Sequence, residues 1–161
     1  MKKFIVVFLV LMFCYIGYLI KEKYKNQKLI LEEIKNFVEF FRSNIMVLKT
    51  SVLDIVYSYK NIQNNKNALS FKMFQNNENL FKFNENFANR YIYDEKLMVY
   101  IRNYFEDFGL KTHCYELEKT DNFLLLLNDS IQKTTEEIKM KGDLWFKLFV
   151  AIGLVIAIVI W

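Results

Sequence analysis

The side chains best able to do covalent or metal chemistry are few in this chain of 161 residues: one histidine, His113, next to Cys114, and a second cysteine, Cys14. A Cys/His pair works as nucleophile and base only when the two side chains converge, and neighbours on a helix point about 100° apart. A zinc site wants about four ligands at workable spacing, and His113 with Cys114 supplies two. The acidic and basic run around Glu136, Glu137 and Lys139 reads as a solvated helix face. Four glycines in the whole chain leave no glycine-rich phosphate loop. No catalytic, cofactor-binding or metal-binding residue is therefore expected, and the pattern predicts a protein that is not an enzyme and carries no cofactor.

Charge narrows the partners. Lysine and arginine number 22 against 18 aspartates and glutamates, a net charge of +4 that is too small to argue for nucleic acid. The 17% aromatic content accompanies an abundance of Lys, Asn, Ile, Phe and Tyr that AT-rich codons supply, so it is not read as a binding signal. Tyr57, Tyr91, Tyr93 and Tyr115 are expected to pack in a core rather than mark a protein contact.

The elements that would have to position any site are dominated by two apolar ends. Residues 4–20, FIVVFLVLMFCYIGYLI, contain no charge, and residues 144–161 run LWFKLFVAIGLVIAIVIW with Lys147 as the single charge. The second stretch makes about 27 Å of helix at ~1.5 Å per residue, close to a hydrocarbon core of about 30 Å. Trp145 and Trp161 suit its two interfaces, and Gly153 would let a neighbouring helix approach. Both ends are expected to span a lipid bilayer. Lys2 and Lys3 also fit a secretory signal, but the bulky residues around Gly17 make a poor cleavage site and favour an uncleaved anchor. Lys21, Lys23, Lys25 and Lys28 on one side, with Lys139, Lys141 and Lys147 on the other, place residues 21–147 in the cytoplasm and both termini outside. Cys14 would then lie in lipid and Cys114 in the cytosol, which rules out a disulfide between them.

Between the ends the periodicity is helical. Leu29, Ile30, Ile34, Phe37, Val38, Phe41, Ile45 and Leu48 form one stripe at spacings of three and four. Thr50 or Ser51 offers a cap for a second segment carrying Val52, Leu53, Val56 and Tyr59. Residues 68–89 alternate briefly in SFKMFQ and NLFKFNENF, as edge strands do, yet one or two short helices are preferred because the surrounding periods are helical. A third segment starts near Asp94, carries Leu97, Met98, Ile101, Tyr104, Phe105 and Phe108, and meets Gly109 as a C-cap. LKTHCYE, residues 110–116, reads as a connector. From Leu117, with Thr120 as a local cap, Phe123, Leu124, Leu127, Ile131, Ile138 and Leu144 lead into the terminal span with Gly142 as the one interruption. The expected architecture is all-α: an anchor over residues 1–20, a cytoplasmic helical bundle over 21–143, and a C-terminal span over 144–161.

The order of these parts resembles the stage III sporulation protein AB family. The resemblance is carried by RSNIMVLKTSVLDIV at 42–56, YIRNYFEDFGL at 100–110 and IKMKGDLWFKLFVAIGLVIAIVI at 138–160. The chain departs from the family's pattern at Ser51, where the turn usually has proline, and at Thr112 and His113, where polar, often acidic residues are usual. The family is related to the inner-membrane platform protein F of type II secretion and pilus machines. The resemblance implies a platform F-like bundle and a non-enzymatic scaffold subunit in the mother-cell membrane around the forespore. It would act within a secretion-like channel complex, its cytoplasmic domain meeting the associated ATPase and its spans other membrane subunits, with self-association open. Other readings are a membrane enzyme, a pore former or a secreted or anchored helical interaction protein unrelated to sporulation. The first would need converging polar groups and the second polar residues inside the spans.

Overall fold

The computed structural model describes residues 2–48, 52–63, 74–77, 80–106, 108 and 112–160. Its elements are α1 (Lys2–Leu48), α2 (Val52–Gln63), β1 (Phe74–Asn77), β2 (Leu80–Phe83), α3 (Glu85–Ala88), α4 (Glu95–Glu106), α5 (His113–Glu137), a π-helical turn (Ile138–Gly142) and α6 (Asp143–Ile160). They form two compact units, one of Leu29–Ile131 and one of Met1–Lys28 with Gln132–Trp161.

The Leu29–Ile131 unit is built around the stripe on α1. Ile30, Leu31, Ile34, Phe37, Val38 and Phe41 are all but inaccessible, and they meet Ile55 and Tyr59 of α2, Leu97, Met98, Ile101, Tyr104 and Phe105 of α4, and Phe123 and Leu127 of α5. Large aromatic side chains supply much of this core because each buries a large apolar area. Phe41 packs on Phe108 with centroids 4.1 Å apart, and Phe37 meets the Tyr59 ring edge-on at 5.2 Å. Leu29, expected on the stripe, is exposed, and Leu31 takes a place in the core instead. At 100° per residue Leu29 lies about 130° from the centre of the buried face, whereas Leu31 stays within it.

Local chemistry sets the starts of the elements. Asp94 caps α4: its Oδ1 accepts from the backbone N–H of Lys96 at 3.0 Å and of Leu97 at 3.2 Å. The short α3 opens where the Ala88 N–H reaches the Asn84 carbonyl at 3.1 Å, and Ala88 is wholly buried. The connector expected over 110–116 is shorter than that, because α5 begins at His113, with the Glu116 N–H on the Thr112 carbonyl at 3.0 Å. Thr120 is no cap; it sits inside α5 with its hydroxyl buried.

Residues 74–77 and 80–83 correct the preference for helix there. β1 and β2 pair antiparallel, Phe74 opposite Phe83, Gln75 opposite Lys82, Asn76 opposite Phe81 and Asn77 opposite Leu80. Asparagines are weak helix formers and good turn formers, and the period of two in LFKF suits a pleated strand. The strand pairing is local, so among the described residues the fold remains helical in every larger element. The turn at Thr50 and Ser51, and the cap at Gly109, fall outside the described residues.

Candidate functional site

The second unit is an antiparallel helix pair made by the first part of α1 and by α6. Its contacts climb one helix as they descend the other: Lys21 faces Gly142, Gly17 faces Phe146, and Val10 and Phe13 face Gly153. Phe13 stacks with Phe149 at a centroid distance of 6.3 Å. Spacings of three and four on both helices keep one narrow face of each at the contact. Gly17 is the tightest point. A Cβ built there would lie 3.1 Å from the Phe146 Cα and 3.3 Å from its ring, so a hydrogen side chain is what lets the backbones approach. At Gly153 the same atom would meet Phe13 at 3.5 Å, an ordinary contact.

What faces away from this contact is apolar. Val7, Phe8, Leu11, Tyr15 and Leu19 on α1 are exposed, as are Leu148, Leu154, Val155 and Ile158 on α6, with Phe8 at 67% and Ile158 at 76%. In water each such side chain would forgo about 1.5–3 kcal/mol of burial, and a contiguous patch of this kind marks an interaction surface. Among the described residues no helix is long and apolar enough to cross a membrane, so the two expected spans are not met within that set.

A polar band borders the apolar faces. Lys21 Nζ lies 2.6 Å from Asp143 Oδ1, and Lys141 Nζ donates to Glu137 Oε1 at 2.8 Å across the π-helical turn. The hydrogen bond from Lys21 holds the Asp143 carboxyl below its ordinary range; partial burial opposes this, and the charges of Lys21, Lys147 and Lys25 reinforce it. The Glu137 carboxylate raises the Lys141 ammonium through the same kind of hydrogen bond. The π-helical turn takes the place of the simple interruption expected at Gly142, the Asp143 N–H reaching back five residues to the Ile138 carbonyl.

The Leu29–Ile131 unit carries an open groove of about 470 Å³ lined by Glu39, Arg42, Ser43, Asp121, Leu124, Leu125 and Asn128. Arg42 donates through Nε to Asp121 Oδ1, and Nη2 lies 3.4 Å from Oδ2. This pairing raises the guanidinium pKa. The Ser43 hydroxyl is committed to the Phe40 carbonyl at 2.8 Å. The groove thus presents a neutralised pair and leucines rather than a nucleophile with a base.

Deeper in this unit the Tyr104 and Thr120 hydroxyls meet at 3.0 Å, Tyr104 stacks on Phe123 with centroids 4.0 Å apart, and Lys119 Nζ donates to the Tyr104 carbonyl at 2.9 Å. Burial, first, and the nearby Glu116 charge push the Tyr104 hydroxyl far above the usual tyrosine range, against the Thr120 hydrogen bond. Neither this network nor the pairing of Arg42 with Asp121 was foreseeable from the sequence, since each joins residues on separate helices and no spacing rule links them.

The residues singled out for chemistry do not assemble. Cys114 is exposed in the first turn of α5, Cys14 lies on α1, and both are free thiols. Among the described residues no three His, Cys, Asp or Glu side chains gather as metal ligands would. Of the tyrosines expected in a core, Tyr91 packs partly against it, Tyr93 and Tyr115 are exposed, and the Tyr57 side chain is outside the described residues. Lys35 lies 3.7 Å from Glu39 in an ion pair one turn apart on α1.

The family model of stage III sporulation protein AB matches residues 2–161, essentially the whole length. The chain belongs to the stage III sporulation protein AB family. No curated protein and no solved structure matches it. For a member of that family the helix pair with apolar outer faces, rather than the groove or the buried tyrosine, is the feature that calls for a functional account.

Proposed function

We propose that this chain is a non-enzymatic platform subunit of a secretion-like channel complex in sporulation, held in the mother-cell membrane around the forespore by both of its apolar ends. The observation that carries the membrane part is the exposed apolar face of the helix pair, from Phe8 and Leu11 on α1 to Val155 and Ile158 on α6. Lipid is the solvent in which such a face costs least. The lysines at 21–28 and 139–147 favour a cytoplasmic central region with both termini outside. Its charges are supported by polar partners, as at Lys21 with Asp143, on the side where water would be.

Membership of the stage III sporulation protein AB family supports the sporulation setting. The platform role, the likeness to platform protein F, and contacts with a cytosolic ATPase and other membrane subunits rest on that resemblance. A platform subunit has to pass position from a cytosolic contact to its anchors, and the helical backbone continuous through 21–28 and 139–147 suits that task. Carbonate washing of membranes from expressing cells should leave the chain in the pellet; release of the intact chain would overturn the anchoring. Purification from detergent-solubilised sporulating cells should bring down an ATPase and further membrane proteins, and recovery of the chain alone would overturn the platform role.

A further inference from the structure

We propose that the π-helical turn Ile138–Gly142 is a rotary switch for α6. It keeps its extra residue only while α6 is docked on α1; when the ion pair of Lys21 with Asp143 opens, it rewinds to α-helix and turns the rest of α6 by about 100°, the angle of one residue. This goes beyond the membrane reading and does not rest on it, since it concerns the contact of two helices in whichever solvent surrounds them.

Burial along the helix shows what the turn does. Among the described residues from Gln132 to Ile160, Thr134, Gly142 and Gly153 are buried. A helix with one partner buries one side. Gly142 and Gly153 are 11 residues apart, which in α-helix is about 20° past three turns, so they share a side. Thr134 and Gly142 are 8 apart, and in unbroken α-helix Gly142 would stand about 80° off the side that Thr134 marks. A turn bonded from residue i to residue i+5 takes in one residue more than an α turn, and that brings Gly142 and everything after it back to the buried side.

Without the extra residue, other side chains would meet α1. Lys141 would take the place of Gly142, where even a Cβ lies 3.6 Å from Lys21 Cγ and 3.7 Å from its Cα. Ile152 would take the place of Gly153, where a Cβ lies 3.6 Å from Val10 Cα and 3.5 Å from Phe13 Cβ. The first exchange sets two ammonium groups together and the second puts a branched side chain where a hydrogen now fits. The docked pair and the π turn therefore require one another. The polar contact that joins α1 to α6 beside the turn is accessible: Lys21 Nζ meets Asp143 Oδ1 at 2.6 Å, with the two side chains 32% and 42% exposed. An ion pair so open to solvent holds weakly and yields to a competing charge, which makes it the release.

Oxidative crosslinking of the full chain in expressing cells tests both halves. The background carries Cys14→Ser and Cys114→Ser, and Val10→Cys is combined with either Gly153→Cys or Ile152→Cys, each pair being read as thiols protected from a maleimide that shifts the band on a gel. All positions keep the numbers of the parent chain. Deletion of Met140, which is 73% exposed in the turn, should let the turn become α-helix with the pair in register, so crosslinking of Val10→Cys to Gly153→Cys stays within about twofold of the parent. Insertion of an alanine after Met140 should lower it by at least about tenfold, because α6 is then turned off its partner by a further residue. In an ordinary α-helix loss and gain of a residue are equally harmful, so equal loss of the crosslink in the two variants would overturn the proposal. Lys21→Gln/Asp143→Asn should move crosslinking from Gly153→Cys towards Ile152→Cys by about two- to fivefold in ratio, the range an exposed ion pair supplies. In the chain lacking Met140 the same double substitution should leave the ratio unchanged, since no extra residue is left to release. A ratio that does not move in the parent, or that moves equally in both chains, would overturn the switch.

Discussion

Tyr104 shows how a single polar atom is accommodated in the core. Its hydroxyl is buried and has Thr120 as partner, so Tyr104→Phe would strand the Thr120 hydroxyl in apolar surroundings at a cost of about 1–2 kcal/mol. Urea unfolding should show that loss, and Tyr104→Phe with Thr120→Val should lose less than the two single changes added together. A neutral Tyr104→Phe would mean the hydrogen bond contributes nothing. Because the folded pKa of Tyr104 is raised, the unfolded chain loses the proton first, and stability is complete below about pH 10 and falls as pH rises beyond it. Absorbance of tyrosinate on alkaline titration should show one tyrosine ionising together with unfolding. Asp143 has the opposite sign: its folded pKa is depressed, so the pairing with Lys21 is complete above the ordinary carboxylate range near pH 4 and is lost as pH falls through the lower folded value. Asp143→Asn should remove that acid dependence of thermal unfolding. An unchanged acid limb would dissociate it from Asp143.

At the scale of elements, the two contact glycines of the helix pair should differ. A methyl group at Gly17 meets the Phe146 backbone at 3.1 Å, and backbone gives way only if the helices part, so Gly17→Ala should destabilise the pair by about 1–3 kcal/mol. Gly153→Ala fills ordinary contact distance and should be neutral or mildly stabilising, since glycine is a poor helix former. Thermal unfolding of the full chain in detergent or bilayers would compare them, and equal effects would argue against the close approach at Gly17. Elements were legible in the sequence to different depths. The stripe over 30–45 and the start of α4 at Asp94 could be read because burial on one face of a helix imposes a period and a cap imposes a residue type. The strand pair of 74–77 and 80–83 could be seen as alternation but lost to its helical neighbours, because a four-residue strand carries too few repeats to outweigh them. The first turn of α5 was hidden because LKTHCYE has neither strong helix propensity nor periodicity until Leu117.

The whole molecule sets the strongest test of the membrane reading, because the same substitution has opposite consequences in the two solvents. Val155 is 59% exposed on α6. In water, Val155→Asp would improve solubility and leave the fold undisturbed. In lipid it would place a carboxylate within the hydrocarbon at about 3 kcal/mol, reducing insertion and the amount of membrane-bound protein. Fractionation of expressing cells should therefore show the variant lost from membranes, and a variant that remains membrane-bound at the parental level would count against lipid contact at this face. Arg42→Ala, on the groove of the other unit, should leave fractionation unchanged and have little effect on stability, as is usual for exposed ion pairs.

By itself the sequence determined that both ends are apolar, that the larger elements are helical, and that the chain resembles the stage III sporulation protein AB family. These are properties of composition and period, which the order of residues carries without reference to distant partners. Only the tertiary structure decided that Gly17 lies against Phe146, that Lys21 answers Asp143, that Tyr104 shares its hydroxyl with Thr120, and that Leu31 rather than Leu29 is buried. Each of these depends on which helix comes to lie beside which and at what height, and that is settled by the packing of whole faces rather than by any short run of residues.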